Sequence, residues 1–144
     1  MESILTKFIK AQEKDFETAF AEIKSGRKRS HWMWYIFPQF NGLGVSETSK
    51  YYSIKTLEEA KQFLSHPILG TRLERITIEL LKNEHSDAKL IFGSPDYLKL
   101  HSSMTLFSIA NDAEANNYKS VLVKFFKGKS DDRTIKLIES QNNF

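Results

Sequence analysis

The stretch from Ser25 to Gly44, Ser-Gly-Arg-Lys-Arg-Ser-His-Trp-Met-Trp-Tyr-Ile-Phe-Pro-Gln-Phe-Asn-Gly-Leu-Gly, gathers side chains able to do chemistry. It holds three consecutive cations, a histidine and both tryptophans of the chain. Arginine offers paired N–H donors that match phosphate or carboxylate, and an indole can stack on a base or a sugar. Arg27, Arg29, Trp32 and Trp34 are therefore candidates for holding an anionic, ring-bearing ligand. The alternative is a solvated basic loop leading into aromatic core. His31 is a candidate acid or base, since histidine is the side chain that exchanges protons near neutral pH; a hydrogen-bonded structural role is the competing reading. Gln39 presents both a donor and an acceptor, either to a ligand edge or to turn backbone.

A second cluster lies further on, where Lys99 precedes Ser102 and Ser103 by three and four positions, one helical turn. A serine–lysine dyad needs a desolvated, neutral lysine. Small serines packing helix to helix beside a charged lysine fit the same spacing. Ser86-Asp-Ala-Lys89 matches a Ser-x-x-Lys pattern without the companion motifs that would give it meaning. The four histidines, His31, His66, His85 and His101, are scattered without metal-ligand spacing, so no metal site is expected. Gly42-Leu43-Gly44 is a fragment of a phosphate-loop pattern with neither its strand nor its downstream residues, and no cofactor motif is found.

The elements that position these residues read as helices. Apolar residues recur at helical spacing from Ser3 to Lys24, and Ser25-Gly26 ends that helix. Trp32 to Phe37 is apolar on every side, so periodicity leaves helix, with Ser30 as N-cap, and buried strand equally open until Pro38 closes it. Val45 to Tyr52 reads as an ordered loop laying its tyrosines over the preceding segment. Thr56-Leu-Glu-Glu59 is a capping box opening a helix to Leu64. His66-Pro67 starts another that runs to about Asn83, with Pro67 at its first position. Ser86 caps a short piece from Asp87 to Phe92. Ser94-Pro95-Asp96, with Ser94 as N-cap, opens a helix to about Ala110. After a polar break at Asn111 to Asn117, a helix from Tyr118 stops at Gly128. Asp131 caps the last one before a fraying Ser140 to Asn143 tail.

Only Trp34 to Phe37 and Ser53 to Lys55 offer strands, so the expected fold class is all-α, a single compact multi-helix domain over residues 1–144 with little or no sheet. At 144 residues the chain can bury a core without staples, and it has no cysteine, which fits a reducing compartment. No stretch approaches about 18 apolar residues and the start lacks a signal-like pattern, so no membrane partner and a cytoplasmic location are expected. The net charge of +3 and pI near 9.0 are mild, permitting an anionic partner without requiring one.

Several blocks together are distinctive: Gly26 to Gln39, Gly42-Leu-Gly44, His66-Pro-Ile-Leu-Gly70 with Arg72-Leu73, Ile91-Phe-Gly93 with Pro95-Asp96, and Leu98-Lys-Leu100 with Ser102-Ser-Met-Thr-Leu-Phe107. In this order they resemble a family of uncharacterised bacterial proteins known as domain of unknown function 1810. The resemblance implies a mainly helical domain and supplies no established activity. Members are sometimes labelled calpastatin-like, but such inhibitors are long, disordered and repetitive, whereas this chain has a core-forming pattern throughout.

The resulting expectation is a pocket for an anionic, phosphate-bearing small molecule such as a nucleotide. Arg27, Arg29, Arg72 and Lys99 hold the charge, Trp32 and Trp34 wall the pocket, and Gln39 and Ser102 contact the ligand. His31 orients it or exchanges protons as the one catalytic candidate. The alternatives are RNA or single-stranded nucleic acid binding by the basic loop, and a protein-interaction module built on an exposed aromatic segment. Whether the protein is an enzyme, and its oligomeric state, are left open by the sequence.

Overall fold

The computed structural model describes residues 4–142, which form an all-α, multi-helix domain. The described helices are α1 (Thr6–Ser25), α2 (Met33–Ile36), α3 (Glu47–Tyr51), α4 (Leu57–Ser65), α5 (Leu69–Leu81), α6 (Ala88–Phe92), α7 (Asp96–Ala110), α8 (Asn117–Phe126) and α9 (Asp132–Asn142). The expected helix start at Ser3 and the Asn143 end of the tail lie outside the described residues. Ser140 and Gln141 continue α9 rather than fray, and the Gln141 amide donates to the Lys55 carbonyl.

α7 is the centre of the fold. From Ser102 to Ser108 every one of its side chains is buried, so it has no solvent face over that stretch, as expected of a helix surrounded by others. It packs against α4, α6, α8 and α9, while α1 lies on α2 and α5, and α5 also touches α4 and α8. Aromatic contacts thread the core from α1 through α4 and α7 to α8: Phe8 to Phe63 at 5.4 Å, Phe63 to Phe107 at 5.3 Å and Phe107 to Tyr118 at 6.0 Å between ring centroids. Such tilted and edge-on pairs favour a fixed arrangement over a fluid one.

Most caps follow from local chemistry. Gly26 ends α1 in the left-handed region at φ 87°, where its N–H and that of Arg27 return to the Ile23 and Glu22 carbonyls. Thr56, Asn116 and Asp131 accept from the backbone N–H three residues on, at 3.1, 2.9 and 3.2 Å. Elsewhere the structure corrects the expected boundaries. Val45 to Tyr52 contains α3, capped by Ser46 accepting from Ser49 N, and it buries no side chain of its own, so apolar periodicity had nothing to register. Tyr52 does reach back, 5.1 Å from the Tyr35 ring. α5 begins at Leu69 rather than Pro67, because His66 Nδ1 accepts from both Ile68 N and Leu69 N. Asp87, one residue after Ser86, caps α6. Ser94 does not cap α7, whose Tyr97 N–H is taken by the Gly93 carbonyl. Trp32 to Phe37 resolves as the short helix α2, but Ser30 is not its cap, being occupied by Glu22.

Among the described residues the single β-type pairing is a parallel bridge between Phe40 and Ile54. Ile54 N donates to the Gln39 carbonyl and Asn41 N to the Ile54 carbonyl, both at 2.8 Å. The bridge fixes the backbone at Gln39, whose side chain has no hydrogen-bond partner among the described residues. No helix is long and apolar enough to cross a membrane among the described residues.

Candidate functional site

Glu22, in the last turn but one of α1, organises the basic loop. The left-handed turn at Gly26 folds the chain back so that Glu22 Oε1 accepts from Arg29 N at 2.7 Å, Ser30 N at 3.0 Å and Trp32 Nε1 at 2.9 Å, while Oε2 accepts from Ser30 Oγ at 2.5 Å. Burial alone would raise the carboxyl's pKa. The bonds from the Ser30 hydroxyl, the Arg29 N–H, the Trp32 indole and the Ser30 N–H outweigh it and hold the group down at about 2. Lys28 N adds a tie to α6 through the Ile91 carbonyl at 2.7 Å.

With the loop anchored, the two tryptophans part company. Trp32 is completely buried, its N–H taken by Glu22 and its ring 6.2 and 6.4 Å from Phe37 and Phe92. Trp34 stands two positions on, close to the opposite side of a helical turn, and is half-buried. Lys99 from the first turn of α7 lies over it, Nζ 4.9 Å from the ring centroid. Asp96 joins the two segments: its carboxylate pairs with Lys99 Nζ at 3.2 Å and with Lys28 Nζ at 2.9 Å. Lys28, whose side chain is 8 % exposed, also donates to the Ser30 carbonyl and lies 5.0 Å from the Trp32 ring.

Trp34, Pro95 and Lys99 form a ridge shared by two hollows. On one side is a cleft of about 540 Å³, lined also by Gln39, Leu98, Ser102, Asp131 and Arg133. On the other is a smaller hollow of about 380 Å³ with Arg29, His31 and Asp96. The larger cleft is assembled from α2, the loop after it, α7 and the start of α9, with apolar walls from Trp34, Leu43 and Leu98 and polar groups between them. A groove of comparable volume, about 550 Å³, lies at the α4–α5 elbow, but its charged residues are already engaged: Glu74 by Asn117 and Tyr118, Arg75 by Glu17.

Of the residues singled out from the sequence, Trp34, Gln39, Lys99 and Ser102 meet in the larger cleft, and Arg29 and His31 line the adjoining hollow. Three fall elsewhere. Trp32 is core rather than pocket wall. Arg27 is exposed and lines neither hollow. Arg72 lies on α5 against α1, its guanidinium 5.7 Å from the Phe16 ring and 3.5 Å from Gln12 Oε1. Among the described residues the His31 ring has no hydrogen-bonded acid or base to orient it. Lys99 is engaged by Asp96 and Ser102 by Thr134, at 3.2 and 2.9 Å, so the two form no dyad. Burial of Trp32, Met33, Ile36 and Phe37 leaves Trp34 as the tryptophan that a partner can reach.

Three contributors escaped the sequence reading as site residues, Asp96, Asp131 and Arg133, while Lys28, one of the three consecutive cations, was noted there but not placed in the expected pocket. Asp96 and Asp131 carried a helix-start signal that conceals any second role, and Arg133 stands in an ordinary polar stretch. Among the described residues no group of three or more His, Asp or Glu side chains is placed to hold a metal ion.

Residues 2–138 match the family described as protein of unknown function (DUF1810), and the chain belongs to that family. A solved structure of high similarity is the crystal structure of the conserved hypothetical protein Rv1873 from Mycobacterium tuberculosis. It is 42% identical, with a TM-score of 0.91 over 94% of this chain and 96% of that one. No curated protein matches the chain.

Proposed function

We propose that this DUF1810-family domain binds an anionic, phosphate-bearing small molecule such as a nucleotide in the cleft beneath Trp34 and Lys99. One observation carries the reading: Trp34, Gln39 and Arg133 line the same cleft, and the indole N–H, the side-chain amide and the guanidinium they carry have no hydrogen-bond partner among the described residues. Trp34 and Gln39 are half-buried and Arg133 is exposed; donors withdrawn from water are ordinarily satisfied by the protein, as the Trp32 N–H two residues before Trp34 is. Lys99 and Arg133 supply positive charge, and Trp34 with Leu98 supplies apolar surface for a ring. Arg29 extends the positive lining over the ridge into the smaller hollow, which His31 also lines. Arg27, Trp32 and Arg72 take no part.

The test is calorimetric titration with adenosine and uridine monophosphate against wild type, Lys99→Met and Arg133→Met. Each substitution removes a charge-assisted bond and is expected to weaken binding about tenfold or more while the melting temperature holds. Wild type binding neither nucleotide, or variants binding as wild type does, refutes the assignment. Titration across salt separates the nucleic-acid reading, since a surface that neutralises many phosphates loses affinity steeply with salt and a single mononucleotide site does not.

A further inference from the structure

Behind Ser102 runs a hydrogen-bonded chain whose direction is determined by proton count. Thr134 Oγ1 lies 2.5 Å from Asp131 Oδ2 and donates to it, because the carboxylate can only accept. Thr134 has no second hydroxyl proton, so in the 2.9 Å contact between Ser102 Oγ and Thr134 Oγ1 the donor is Ser102. Thr134 is fully buried and Ser102 is 2 % exposed, so water does not compete for either bond. The order is Ser102 to Thr134 to Asp131. Ser102's only proton is given to Thr134, so its two lone pairs are left without a donor among the described residues, on a side chain that lines the cleft, and the carboxylate two hydrogen bonds away makes that oxygen more electron-rich. Asp131 lines the same cleft, and its Oδ1 has no hydrogen-bond partner among the described residues.

Two acceptors thus line the cleft together with its cations, Lys99 and Arg133. The ligand must present hydrogen-bond donors there. A cationic ammonium would satisfy Asp131 but meet the field of Lys99 and Arg133, and it would not use their charge. A neutral hydroxyl meets no such opposition, and an acidic side chain accepting from sugar hydroxyls is a recurrent solution in nucleotide sites. We infer that Ser102, oriented by Thr134 and Asp131, accepts a hydrogen bond from a hydroxyl of the ligand, so that the cleft takes a phosphorylated sugar. This rests on the phosphate-binding reading above and adds the part of the ligand that reading leaves unspecified.

The experiment uses ribose 5-phosphate and methyl phosphate as paired probes, one with sugar hydroxyls and one without. Wild type is expected to bind ribose 5-phosphate about tenfold more tightly, the value of one such bond. Ser102→Ala should remove that preference while leaving methyl phosphate affinity unchanged. Thr134→Val, which deprives the Ser102 proton of its acceptor, should reduce the preference, and Thr134→Ser should restore it, an outcome that a purely packing role for Thr134 would not produce. Thermal melts confirm that each variant folds. If wild type binds both phosphates equally, or Ser102→Ala keeps the preference, the sugar inference falls and the phosphate site stands. If neither phosphate binds wild type, both fall.

Discussion

Glu22→Gln is the perturbation that most directly tests how the basic loop is held. The carboxylate accepts four hydrogen bonds from Arg29, Ser30 and Trp32, and its pKa is lowered from 4.5 to about 2. At about 1.36 kcal/mol per pH unit, such a displacement is worth at most about 3.4 kcal/mol; Glu22 is partly exposed, and solvent screening brings this to about 2 kcal/mol. The sign is that of a depressed carboxyl. Its contribution is fully present above the unfolded-state value near 4.5 and is lost as pH falls towards 2. Glutamine keeps the shape and one acceptor but removes the charge. Urea unfolding followed by tryptophan fluorescence should therefore find Glu22→Gln less stable than wild type by about 2 kcal/mol at pH 7, with the difference collapsing by pH 2.5. A difference under about 0.5 kcal/mol at pH 7, or one undiminished at pH 2.5, refutes the argument. Glu22→Ala should cost more, about 3 kcal/mol, because it also leaves the fully buried Trp32 N–H without an acceptor.

Other outcomes follow from single contacts. Gly70→Ala should destabilise by about 1–3 kcal/mol in the same assay, since a Cβ there would overlap the Leu64 carbonyl, backbone that cannot step aside. Burial first, and then the neighbouring Glu74 charge and its hydrogen bond, raise the Tyr118 phenol well above its usual range. Its protonated form is favoured by folding, so stability should be intact below about pH 10 and decline above it, with Tyr118→Phe flattening that decline and costing about 1.5 kcal/mol at pH 7. Trp34→Ala should leave the melting temperature within a few degrees yet abolish nucleotide-induced fluorescence change, whereas Trp32→Ala, emptying a fully buried site, should cost about 3–5 kcal/mol.

Local chemistry was enough to read the helical fold class, and several helix ends with it. Gly26, Thr56 and Asp131 act through neighbours a few residues away, so their roles are legible wherever the rest of the chain goes. The same reasoning misplaced the start of α5, where a histidine ring nitrogen replaces the usual capping oxygen, and missed α3, which has no buried face. It could not decide α2, because a segment buried all round has no periodicity to betray its type.

The candidate site divides along the same line. Its residue types were visible in the sequence: an exceptional block of cations, tryptophans and glutamine, and a lysine one turn before two serines. Which of them meet was decided by tertiary contacts between residues far apart in the chain. Asp96 draws Lys28 and Lys99 together; Glu22 claims the indole of Trp32 and leaves that of Trp34 unclaimed; α9 brings Asp131, Arg133 and Thr134 up to Ser102. A sequence records the short-range hydrogen bonds that start and stop its helices, because both partners lie within one turn. Burial and charge pairing depend on how those helices pack, and so only the folded chain could separate the tryptophan of the core from the tryptophan of the cleft.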